Sequence, residues 1–142
     1  MFNGRFSSGI LQCSHSIFHF QLVERVYDLE DRLVEFAVVV SGLADRLPRT
    51  ALGRHVAGQL IRCSTAAAPN YGEACNAESQ RDFIHKMRVC LKELRETLVW
   101  LKFTKRKVYL RGNELDEVVR ESDQLVRIFA ASVRTAERNR DL

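Results

Sequence analysis

The stretch that decides the fold is residues 79–103, Ser-Gln-Arg-Asp-Phe-Ile-His-Lys-Met-Arg-Val-Cys-Leu-Lys-Glu-Leu-Arg-Glu-Thr-Leu-Val-Trp-Leu-Lys-Phe. Its apolar residues Phe83, Ile84, Met87, Cys90, Leu91, Leu94, Leu98 and Leu101 recur at the period of a helix with one buried stripe. Ser79 can cap the first turn, and Asp82 three positions on completes a capping-box-like arrangement. No Gly or Pro interrupts the run, which would span roughly 37 Å as a helix. The opposite face carries Arg81, His85, Arg88, Lys92, Arg95 and Lys102. The reading is a long central helix, apolar on one side and basic on the other.

Working outward, Asp28 is a good N-cap for a first helix whose stripe is Leu29, Leu33, Phe36, Ala37, Val40, Leu43, Ala44 and Leu47, stopped by Pro48. A second helix begins near Thr50 and uses Leu52, Val56, Leu60, Ser64 and Ala67. Pro69 either ends it or kinks it, and the apolar-flanked run Asn70 to Ala74 favours continuation past a kink. After the central helix, Gly112 suits a turn and Asn113 an N-cap for a fourth helix carrying Leu115, Val118, Val119, Ser122, Leu125, Val126, Phe129 and Val133. Four amphipathic helices with short connections and no strand predict an all-α, antiparallel up-down-up-down four-helix bundle. The expected organisation is a loosely ordered extension over residues 1–27, the bundle over 28–136 and a frayed tail over 137–142.

Composition sets the remaining bounds. The 142 residues suffice for one domain with its own core, and 46% hydrophobic with 28% charged residues is an ordinary globular mix. The net charge of +4 permits a polyanionic partner without requiring one. Cys13, Cys63, Cys75 and Cys90 show no CxxC pairing and no zinc spacing, so they read as free thiols in a reducing cytoplasm. No apolar run reaches the ~20 residues of a membrane span, and residues 1–20 lack the continuous apolar core of a signal peptide.

Candidate chemistry is sparse. Carboxylate-bridged metal sites in bundles use Glu-x-x-His on facing helices, and no Glu here has a His three residues later. A thiol on the apolar stripe, such as Cys90, is inert, and the glycines form no phosphate-binding loop. The expectation is therefore a protein without catalytic residues, metal or cofactor. Two features remain. Arg62, Ser64, Asn70, Tyr71, Glu73 and Glu78 form a polar group around the second connection, suited to fixing that turn or to a subunit contact. From Arg81 to Arg111, ten Lys or Arg stand against Asp82, Glu93 and Glu96. Arg88, Lys92, Arg95, Lys102, Lys105, Arg106, Lys107 and Arg111 are the candidate nucleic-acid-binding residues, to be weighed against a solvated face that complements the helix C-terminus.

At these residues a family resemblance emerges. Gln59 to Thr65, Asn70 to Ala74, Ala77 to Ser79, Asp82 to Met87, Leu91 to Thr97 and Trp100-Leu101 resemble, in order and spacing, the bacterial four-helix bundle proteins first noticed in intervening sequences of large-subunit ribosomal RNA genes. Asp28 to Leu33 looks like that family's first helix, and the resemblance spans about residues 28–135. It implies a ring-shaped homopentamer without established enzymatic activity. The accessory protein of diversity-generating retroelements has a similar fold and binds nucleic acid as a basic pentamer. The expectation carried forward is an oligomer that binds RNA or single-stranded DNA; the alternative is a protein-interaction scaffold with no nucleic-acid role.

Overall fold

The computed structural model describes the backbone of residues 20–142 and the side chains from Leu29 onward. Four helices follow in order: α1 (Phe20–Asp45), α2 (Ala51–Cys75), α3 (Gln80–Arg106) and α4 (Asn113–Arg140). Each packs antiparallel on its neighbour in sequence, and α4 returns to touch α1, more lightly than it touches α3. The described residues contain no strand.

The core is built from the stripes. Leu33, Val40, Val56, Leu60, Leu94, Leu101, Leu125 and Phe129 are fully buried, and Tyr71 meets Phe129 edge-on with ring centroids 5.7 Å apart. Ser64, Thr97 and Thr104 are buried too, each hydroxyl donating to a carbonyl of its own helix. Ser122 Oγ is buried without a hydrogen-bond partner among the described residues.

The elements differ from expectation at their ends. α1 starts at Phe20 rather than at Asp28, which lies inside it. In the sequence Leu22, Val26, Leu29 and Leu33 already keep the helical step, and once nucleated a helix propagates through residues of fair propensity without needing a cap at Asp28. The proposed loosely ordered extension otherwise falls on residues 1–19, outside the described residues. At the other end α4 runs to Arg140, so the frayed tail expected from Glu137 shrinks to the last two residues. Gln80 Nε2 donates to the Ala136 carbonyl and Arg88 pairs with Glu137, tying the end of α4 to the start of α3.

α2 is capped by Thr50, whose hydroxyl accepts from the Gly53 N–H at 3.0 Å. Leu52, expected on the stripe, is 40% exposed, and Gly53 is buried in its place. A Cβ at residue 53 would sit 1.9 Å from the Pro48 carbonyl oxygen, so only glycine lets the chain turn back this tightly. The helix continues through Pro69 to Cys75, burying Tyr71 and Ala74 beyond it.

α3 is capped by Ser79, whose hydroxyl accepts from the Asp82 N–H at 3.1 Å. Its C-terminus closes in a Schellman pattern: Val108 N–H donates to the Lys105 carbonyl and Tyr109 N–H to that of Thr104. The residue that must turn left-handed there is Val108, at φ 55°. Asn113, expected to cap α4, is its first helical residue. Gly112 holds the cap position at φ 107° and no side chain caps the helix.

Candidate nucleic-acid interface

The outer face of α3 is set by the stripe beneath it. With the apolar positions facing the core, residues 81, 85, 88, 92, 95, 99, 102 and 106 fall on the opposite side in steps of four and three. They are Arg, His, Arg, Lys, Arg, Val, Lys and Arg, and all are exposed. Residues seven apart on a helix stay within about 20° of one another, so these cations form rows along the helix axis.

Glu93 and Glu96 of α3 are rotated toward α2, where Arg62 engages both. Arg62 of α2 donates to Glu93 at 3.2 Å and also reaches Glu96, while Glu73 of α2 pairs with Lys86. The hydrogen bond that Lys86 donates to Glu73 holds its ammonium above the usual pKa. On the outer face this leaves, among the described residues, cations without an ion-pair partner. Lys92, Arg95, Lys102 and Arg106 make no ion pair among the described residues. Arg88 pairs with Glu137, and Lys105 with Asp116 at 2.6 Å. The Lys105 hydrogen bond draws the Asp116 carboxyl below the usual carboxylate range.

The candidates from Lys102 to Arg111 are thus split. Lys102 and Arg106 belong to the outer face of α3, Lys105 turns to α4, and Lys107 lies 5.9 Å from the centroid of the Tyr109 ring. Arg111 is exposed in the connection itself.

A second basic row, absent from the candidates drawn from sequence, lies on α4. Arg120, Arg127, Arg134 and Arg138 are exposed on the side away from its core stripe. The signal in the sequence is the spacing of arginines seven residues apart at 120, 127 and 134. Between the rows an open depression is lined by Lys102, Val119, Arg120, Asp123, Gln124 and Arg127, with Asp123 accepting from Arg127 at 2.8 Å.

The other candidate group does not form one cluster. Arg62 bridges to α3, Ser64 is buried in the core, and Asn70 Nδ2 donates to the Ala66 carbonyl at 2.8 Å, one turn back on α2. Tyr71 packs on Phe129, Glu73 pairs with Lys86, and Glu78 is exposed in the connection. Arg62, Tyr71 and Glu73 hold α2 to its neighbours at separate points along its length.

Cys63 and Cys90 are buried, and burial pushes the Cys90 thiol up to about 12 and the Cys63 thiol up as well. Among the described residues no group of His, Cys, Asp and Glu could hold a metal ion, and no helix is long and apolar enough to cross a membrane.

A model of the family described as 23S rRNA-intervening sequence protein matches residues 25–131. The chain belongs to that family. The matched span begins inside α1 and ends inside α4, so the α3 row and the first two arginines of the α4 row fall within the family region, and Arg134 and Arg138 beyond it. Among solved structures the chain resembles a protein of unknown function from the S23 ribosomal protein family of Bacteroides thetaiotaomicron. The two are 27% identical with a TM-score of 0.69, over 77% of this chain and 97% of the other. No curated protein matches.

Proposed function

We propose that this intervening sequence protein is a non-enzymatic homo-oligomer that binds nucleic acid through Lys and Arg, without sequence preference. The observation that carries the reading is the outer face of α3, where Lys92, Arg95, Lys102 and Arg106 are exposed and free of carboxylate partners. Phosphates would displace water and small ions from such side chains and release the counterions condensed on the polyanion. The resemblance noted in the sequence adds a ring of five copies, in which each weak face would be repeated and held at high effective concentration. The test is purification at low salt: nucleic acid should co-purify, raising the 260/280 nm absorbance ratio, and should be stripped by high salt. Protein free of nucleic acid at every salt concentration contradicts the reading.

A second reading is a protein-interaction scaffold. It is favoured by the outer face of α1, where Val34 and Val38 are 49% and 60% exposed between Glu30, Asp31 and Glu35. Apolar side chains one turn apart on an acidic helix suit a protein surface better than a polyanion.

A further inference from the structure

We infer that the ligand of the basic face is a double helix rather than a single strand. This rests on the nucleic-acid reading above and names the class of nucleic acid. The first observation is that the cations stand in two rows, not one. Lys102 of the α3 row and Arg120 and Arg127 of the α4 row line one depression, and Arg134 continues the α4 row one step of seven further on. Packed helix axes lie roughly 8–10 Å apart, so the two rows run side by side rather than along one line. A duplex offers two phosphate rows across a groove, and a single strand offers one.

The second observation is the lack of stacking surfaces. Proteins that hold single strands without sequence preference place bases on exposed aromatic rings, on which every base can stack. Among the described residues no Phe, Tyr or Trp is exposed: Trp100 lies edge-on between His55 and Phe103, and Tyr109 and Phe83 pack against the core. His85 is the one exposed ring in the α3 row. What the face presents is charge, on two rigid helices, and a rigid polyanion of higher linear charge density gains more from it than a flexible strand.

Between the rows, Asp123 and Glu137 are engaged by Arg127 and Arg88. Such exposed pairs are worth little and can exchange a carboxylate for a phosphate.

The experiment is fluorescence anisotropy of the full chain with labelled RNA and DNA duplexes of about 25 base pairs, and with unstructured U-rich and T-rich strands of equal length, across a salt series. The expected result is duplex binding about tenfold tighter or more at equal salt, with a log–log salt slope steeper by about 0.9 for each additional phosphate neutralised. Arg127→Glu combined with Arg134→Glu, with helicity and oligomer size unchanged, should weaken duplex binding about tenfold and strand binding less than about threefold, because only the duplex uses the second row. Equal or tighter binding of the strand, or equal losses in the double variant, overturns the inference and leaves the nucleic-acid reading standing. Binding of neither ligand at low salt overturns both.

Discussion

Val108 is a β-branched residue held at φ 55°, where a side chain crowds its own backbone at a cost of about 1–2 kcal/mol. It sits there because the α3 terminus closes through Lys105 and Thr104 carbonyls, and that closure demands a left-handed residue. Nothing in Lys107-Val108-Tyr109 announces this, since the position normally goes to glycine. Val108→Gly should therefore stabilise the fold by about 1 kcal/mol, less the entropy glycine adds to the unfolded chain. Urea denaturation would show it as a raised midpoint at unchanged slope. Gly53 was equally hidden: its role lies in a contact with the Pro48 carbonyl that no periodicity records, and Leu52 took its place on the expected stripe. The burial of Cys90, by contrast, was legible from the stripe. With its thiol pushed up to about 12, Cys90 should resist alkylation at pH 8 in the native protein and react on denaturation, as peptide mapping would show.

At the scale of elements, the interiors were legible and the ends were not. Leu94 is fully buried and Lys92, two residues away, is exposed, as the α3 stripe requires. Leu94→Ala should cost about 2–5 kcal/mol through lost burial and a cavity, and Lys92→Ala under about 0.5 kcal/mol. Similar denaturation midpoints for the two variants would contradict the assigned face. Asp28 misled because the apolar period of the sequence continues on both sides of it, and Asn113 because Gly112 holds the cap position one residue earlier. Helix length there is set by propagation and packing, not by the cap. Pro69 was read correctly as interior, because Tyr71 and Ala74 beyond it needed the core.

At the scale of the molecule, charge divides by face. α1 shows Glu30, Asp31, Glu35 and Asp45 to solvent, while α3 and α4 show their Lys and Arg rows. The excess of cations between Arg81 and Arg111 was countable in sequence. Which of them stay free was not, because Lys105, Lys86 and Arg88 find carboxylates on other helices. Exposed apolar side chains on α1 and α2, Val34, Val38, Leu52 and Ile61, fit burial against further copies. A closed ring is the expected assembly, and light scattering after size exclusion should give a mass near five times the 16.3 kDa chain. A mass of one chain at micromolar concentration would contradict it.

The central claim is that the free cations of α3 bind phosphates, and charge reversal tests it most directly. Lys92→Glu, Arg95→Glu and Lys102→Glu together leave the core and the ion pairs of α3 with α2 and α4 in place. Anisotropy with wild type and this variant, both checked for unchanged helicity and oligomer size, would be followed from about 50 to 200 mM salt. The account predicts submicromolar wild-type binding at the low end, falling steeply with salt, and at least about a hundredfold loss in the variant. A variant that binds as tightly as wild type, with the same salt slope, would contradict it.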